Sequence, residues 1–357
     1  MKRRTATQNI MTALGLLGVA PIVHAGNRRG GAQSDSIEQK TLPKSLKPAR
    51  LKKGQKVGLI APGSSIEEEA LQEAIKNIKE LGLQVELGKH VRARHGYIAG
   101  TDKERLSDLH MMFSRSDIDA IWCARGGYGC SRLLPSLDYG LIQNNPKLLI
   151  GYSDITALLN GIFEKTGLVG IHGPVGASQQ TDYTKEHFVG VAMNPKKQYK
   201  IELSSENLEK KDKAFEVHEI KAGKAEGVLV GGNLSLLAAM AGTGYQPEVK
   251  DRLVFIEDVG EKPYRVDRML TQLRQAYALE EAAGLALGVF ADCEADEDDA
   301  SLTLKECLND RLGDLGIPVM YGFSFGHISN QCSLPLGVRA QMDTSTKTIT
   351  LLEAAVQ

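Results

Sequence analysis

From residue 55 onward the chain alternates short apolar runs with longer amphipathic stretches, and this rhythm limits the possible folds more than any other feature. KVGLIAPGS (56–64) reads as a buried strand ending in a Pro-Gly turn. EEEALQEAIKNIKELG (67–82) has helical spacing, acids in its first turn and Gly82 at its end. LQVELG reads as a strand and DKERLSDLHMMFS as a helix. IDAIWCA (118–124) is a strand running into RGGYG, KLLIGYSD (147–154) a strand running into ITALLNGIF, and LVGIHGPV a further strand. Near-continuous apolar strands separated by helices predict an α/β fold whose mostly parallel sheet is covered on both faces.

Residues 176–224 break the rhythm. They are more polar, carry the lysine-rich stretches NPKKQYK and EKKDKAF, and read as a crossover with a few edge strands. The alternation then resumes: EGVLVGGN leads into LSLLAAMAGTG, and RLVFIEDVGE into YRVDRMLTQLRQA. GLALGVF follows, then a helix near 301–313, IPVMYGFSFGH, and a terminal hairpin near 334–353. The expected organisation is an N-terminal domain over 51–190, a crossover linker over 191–224 and a smaller C-terminal domain over 225–357. A chain of 357 residues suffices for two such cores.

The first fifty residues have a different character. Lys2, Arg3 and Arg4 precede the apolar run IMTALGLLGVAPIV, and Val23 and Ala25 sit where a cleavage site before Gly26 needs small residues. Residues 1–25 therefore read as an export signal, too short for stable membrane insertion, and the protein as exported, to a bacterial periplasm. Were the segment not a working signal, the protein would be cytoplasmic. Residues 26–50 are rich in Gly, Ser, Pro and Lys without an apolar face, and read as a flexible tether. A net charge of -1 offers no basic face for nucleic acid. Five cysteines without a repeated short spacing make a poor disulfide framework. Without CxxC or HExxH there is no support for a metal site, and without GxxxxGK[ST] none for a nucleotide phosphate, so no cofactor is expected.

Ligands of open parallel sheets bind beyond the carboxyl ends of the strands. Four polar or glycine-rich clusters fall at such ends: RGGYG, GYSD, IEDVGE and FGH. Ser153 stands in a tight strand-to-helix turn that would raise its hydroxyl above the sheet, with the following N–H groups turned toward it. Its alternative is a helix cap hydrogen-bonding toward Thr156, and Ile155 departs from the second glycine of G-x-S-x-G. His327 and His172 are the two strand-end histidines and rival general bases. Glu257 ends the apolar run VFI and needs a partner, either an imidazole or Arg265 or Arg268; Asp258 and Glu261 compete with it. The glycines of RGGYG either supply an oxyanion amide or form a turn. Cys130 reads as a buried hydrophobe, with a thiol nucleophile as the alternative.

In order and spacing, GLIAPGS, ARGGYGCSRLLP, LLIGYSDITALL, HGPV, EGVLVGGNLSLL, FIEDVGEKPYRVDRMLTQL and GFSFGH resemble the LD-carboxypeptidases over residues 55–345. The resemblance implies a Rossmann-like N-terminal domain, a smaller β-rich α/β C-terminal domain, a site at the domain interface, and a homodimer. It implies removal of the terminal D-alanine from murein tetrapeptide at an L-to-D bond, without a metal. It puts the nucleophile on Ser153, its partners on His327 and Glu257, and the oxyanion amides on Asp154 and Gly127. The terminal carboxylate would then fall to Arg125, Arg265 or Arg268. An export signal departs from the family's cytoplasmic recycling enzymes. A sister branch, the microcin-C self-immunity peptidases, cleaves aminoacyl-nucleotide amides with an aromatic stack on the base. Trp122 lies inside a strand, leaving Tyr183 or Tyr199 for that stack. A non-catalytic exported solute- or muropeptide-binding protein is the competing class.

Overall fold

The computed structural model describes residues 44–296 and 300–357, within one compact unit, Leu42–Gln357. The export segment and residues 26–43 of the expected tether lie outside the described residues. Residues 44–50 correct the tether's other end. Ser45 Oγ donates to the Gly337 carbonyl at 2.5 Å, Lys47 pairs with Glu353 at 2.6 Å, and the Arg50 N–H reaches the Gln357 carbonyl at 2.8 Å. A polar stretch without periodicity can still be ordered when other segments satisfy its backbone groups.

In chain order the first strands are β1 (Lys56–Ile60), β2 (Gln84–Leu87), β3 (Ala120–Cys123), β4 (Leu148–Gly151), β5 (Ile171–His172), β6 (Tyr199–Ile201) and β7 (His218–Lys221). There follow β8 (Lys224–Asn233), β9 (Arg252–Val259), β10 (Gly284–Ala291), β11 (Val319–Gly326), β12 (Leu334–Pro335), β13 (Arg339–Asp343) and β14 (Thr348–Leu351). The first sheet runs β12-β5-β4-β3-β1-β2, with β1 to β5 parallel and β12 antiparallel at the edge. Its strand order reverses between β1 and β3, where the loops leaving the two strands open a crevice. Helices Glu68–Glu80, Asp102–Ser114 and Thr156–Thr166 cover it. Thr101 starts the second of these with a reciprocal cap on Glu104, a device typically contributing about 1 kcal/mol.

The second sheet runs β6-β14-β13-β8-β9-β10-β11-β7, with β8 to β11 parallel and the flanking strands antiparallel. Both of its edges, β6 and β7, come from the polar stretch expected as a crossover. Edge strands tolerate such composition because one side faces solvent. The terminal hairpin is β13–β14, whereas β12 crosses back to pair with His172 and Ile171 in the first sheet. Two strand residues give no periodicity from which that return could be read.

The helix Thr156–Thr166 ties the sheets together. Asn160 Nδ2 donates to the Gly231 carbonyl at 2.8 Å, and the Asn233 N–H to Thr156 Oγ1 at 3.0 Å. At the helix's far end Glu164 meets Arg252 at 3.1 Å, both side chains 1% exposed. The turn that begins this helix is thereby fixed against β8, the neighbour of β9.

Candidate active site

Ser153 follows β4 with φ 64, a left-handed conformation that is costly for a residue with a Cβ. Such strain persists only where the surroundings impose it. In this turn the N–H of Ile155 bonds the Tyr152 carbonyl at 3.3 Å, and Ile155 itself is fully buried. A Cβ on Gly126 would lie 2.9 Å from Ser153 Cβ, 3.1 Å from its Oγ and 3.2 Å from the Asp154 nitrogen. Gly126, at the end of the neighbouring strand, thus permits the close approach that a second glycine permits in G-x-S-x-G. No hydrogen bond engages the Ser153 hydroxyl among the described residues, and helix Thr156–Thr166 has no side-chain cap. The capping alternative is thereby overturned.

The loops around this turn are locked to it. Asp154 is buried, and its carboxylate accepts from the Cys130 N–H at 2.9 Å. Burial holds its pKa up, against the hydrogen bonds from Cys130 and Gly129 and the charge of Arg105. Arg105, equally buried, donates to the carbonyls of Gly129 (2.9 Å) and Pro62. The Ser64 N–H donates to the Gly126 carbonyl and the Tyr128 N–H to Ser64 Oγ, both at 3.1 Å. Gly127, with φ 101, packs against Ser64; Gly126 is the glycine that abuts Ser153.

Glu257 and His327 come from the second sheet. Glu257, fully buried in β9, accepts from His327 Nδ1 at 2.8 Å, while the imidazole stays 19% exposed. Burial alone would raise the Glu257 carboxyl and lower the His327 imidazole. Each partner's charge and their shared hydrogen bond outweigh it, leaving Glu257 below and His327 above its ordinary value. Gly326, at φ 121, lets β11 pass this pair: a Cβ there would stand 3.3 Å from Glu257 Oε2. The bond to Nδ1 directs Nε2 away from the glutamate. Tyr152, the chain neighbour of Ser153, lays its ring 4.8 Å from the His327 ring.

The competitors are engaged otherwise. Asp258 accepts from Asn233 Nδ2, Ser235 and the Val259 N–H, and burial pushes it up to about 6. Glu261 pairs with Arg265 at 3.3 Å, Arg268 lies by the Tyr264 ring, and Glu257 takes the imidazole as its partner. His172 is sealed in, with burial pushing it down to about 4. All five cysteines are free and buried; burial raises the Cys130 thiol well above its ordinary value, which contradicts a nucleophilic role.

Beside His327 lies a cleft of about 370 Å³ whose walls include Tyr152, Ser178, Lys210, Asp292 and Gln331. None of the three arginines expected at the substrate carboxylate lines it: Arg125 donates to the Ser65 carbonyl at 3.0 Å, Arg265 is paired, and Arg268 lies 6.0 Å from the Tyr264 ring. Sequence reasoning missed Tyr152 and Gly126, although both sit inside motifs it singled out. Lys210 lies in a charged stretch that gave no signal at all. Trp122 is core, stacked on Phe188 at 4.5 Å. Tyr183 and Tyr199 bond Glu202 and His187.

Comparison with known proteins decides the family. The description "LD-carboxypeptidase N-terminal domain" matches residues 57–173, and "LD-carboxypeptidase C-terminal domain" matches residues 226–342. The chain belongs to the LD-carboxypeptidase family. It is 41% identical over 317 residues to a Bacillus subtilis protein named "Probable murein peptide carboxypeptidase", covering 87% of this chain and 96% of that one. The microcin C7 self-immunity protein of Escherichia coli is 29% identical, over 86% of this chain and 96% of its own. A solved structure of a protein of that name superposes with TM-score 0.78 at 28% identity, covering 87% of this chain and all of the other. A muramoyltetrapeptide carboxypeptidase from Oxalobacter formigenes superposes with TM-score 0.72 at 31% identity, covering 83% and 98%. LD-carboxypeptidases thus share this two-sheet arrangement. Among the described residues no helix is long and apolar enough to cross a membrane.

Proposed function

We propose that this LD-carboxypeptidase is a serine enzyme that removes the terminal D-alanine from murein tetrapeptide through an acyl-enzyme. The observation that carries the reading is the Glu257–His327 hydrogen bond, set by Tyr152 beside the strained Ser153 turn. His327 takes the Ser153 proton as the hydroxyl oxygen attacks the penultimate carbonyl carbon. Glu257 holds the imidazole with Nδ1 protonated and balances the imidazolium. The Asp154 and Gly127 amides receive the oxyanion, each such donor being worth about 3 kcal/mol of barrier. The Asp154 N–H precedes the first hydrogen bond of its turn, which supports that role. Collapse of the tetrahedral intermediate breaks the C–N bond, and His327 protonates the departing D-alanine amine. Water, deprotonated by the same imidazole, then hydrolyses the ester.

Export to the periplasm, resting on residues 1–25, and a homodimer, resting on the family resemblance, belong to the same proposal. The test is release of free D-alanine from defined tri-, tetra- and pentapeptides by the purified chain. Turnover should be confined to the tetrapeptide and abolished by Ser153→Ala with peptide binding kept; full activity of that variant would end the serine mechanism. The overall likeness to the self-immunity protein favours a second reading, cleavage of aminoacyl-nucleotide amides. Turnover of such an amide without turnover of the tetrapeptide would select it. Binding of muropeptide without any turnover would select a receptor.

A further inference from the structure

Resting on the carboxypeptidase reading, we propose that Lys210 is the residue that recognises the free C-terminal carboxylate of the substrate. The leaving amine must reach His327 for its proton, and its carboxylate is borne by the adjacent carbon. Two bonds of about 1.5 Å separate the amine nitrogen from the carboxylate carbon, so the recognising cation must belong to the His327 cleft itself. Lys210 lines that cleft together with Tyr152 and His327, and Arg125, Arg265 and Arg268 do not.

The ammonium of Lys210 is placed without being neutralised. It stands 4.0 Å from the centroid of the Phe215 ring, a contact that orients a cation while leaving its charge available. Among the described residues it has no carboxylate partner. Asp212, two residues on and itself in the cleft wall, is turned to its own loop, where its side chain accepts from the Ala214 N–H at 2.9 Å. Lys210, Asp212 and Phe215 line the cleft together with His327 and Ile328, and a lysine's long flexible stem lets its charge meet a small anion there.

The test uses the full chain and two peptides, the murein tetrapeptide with a free terminal carboxylate and the same peptide ending in D-alaninamide. Wild type should favour the acid by at least about 100-fold in kcat/KM. Lys210→Met should cut that preference at least tenfold, through KM rather than kcat, and Lys210→Arg should restore most of it. Dissociation constants measured on Ser153→Ala, with and without Lys210→Met, read the same preference without turnover. If wild type cleaves neither peptide, the proposed function falls, and the binding ratio still decides for or against Lys210. A preference unchanged by Lys210→Met, an equal loss on both peptides, or no acid preference in wild type overturns the proposal.

Discussion

Two imidazoles pack near the Tyr152 ring, and they have opposite fates. His327, at the end of β11, keeps one face toward a cleft, gives Nδ1 to Glu257 and is held above its ordinary pKa. His172, at the end of β5, lies 6.0 Å from the same tyrosine, is fully buried among Phe255 and Phe325, and has neither ring nitrogen hydrogen-bonded. Both stand at a strand's carboxyl end, and their local sequences, GIHGPV and FGHIS, are equally glycine-flanked. The difference arises across the sheets. Phe255 and Glu257 alternate onto one face of β9, and the phenyl ring packs against His172 while the carboxylate bonds His327. An acid partner plus an opening to solvent suits an imidazole to the proposed role of base; an aromatic cage holds one neutral.

The largest test of that contrast is on turnover. His327→Gln should lower D-alanine release about 10⁴-fold, whereas His172→Leu should stay within about tenfold of wild type. A reversed pattern would transfer the base to His172. Because Glu257 raises His327, which the proposed mechanism needs neutral to accept a proton, wild-type kcat/KM should rise with pH through a midpoint above 6.5. Gly126→Ala should come next, at about 10²- to 10³-fold in kcat. Its methyl would press on Ser153 Cβ at 2.9 Å and crowd the Asp154 amide, while leaving the Glu257–His327 pair untouched. An unaltered His327 titration by NMR alongside the lost rate would place the damage on the nucleophile's side; an undiminished rate would remove Gly126 from the account.

Much of this was legible because strand ends and their polar clusters are local. β1 to β5, the helices after them and the GYSD turn all follow from short-range period and punctuation. Selecting Glu257 over Asp258 was not local: adjacent carboxylates on one strand face opposite ways, and only the folded position of His327 beyond β11 decides which one it meets. The return of β12 to the first sheet, the ordered residues 44–50 and Lys210 depend on contacts far apart in the chain. Tyr152 falls between these cases, since its position beside Ser153 was visible and the histidines it would meet were not.

The smallest effect is on stability, and its sign separates the two histidines. His172 titrates near 6.5 when unfolded and about 4 when folded, so its contribution is full above pH 6.5 and lost as pH falls toward 4. His327, raised, has the opposite sign, its stabilisation being complete below 6.5 and lost as pH rises past its folded value. Between pH 7 and 5 the linkage for His172 amounts to about 2 kcal/mol. His187, also pushed down to about 4, adds to the wild-type loss, and Asp258, raised to about 6, opposes it. Both contributions cancel when the wild-type curve is compared with that of His172→Leu, which removes only the caged imidazole. Urea unfolding of the two proteins at pH 7 and pH 5 should show the variant losing about 2 kcal/mol less on acidification. Equal losses would mean that His172 is protonated in the folded state, with a hydrogen-bond acceptor inside its cage, and the two imidazoles would then differ in exposure alone.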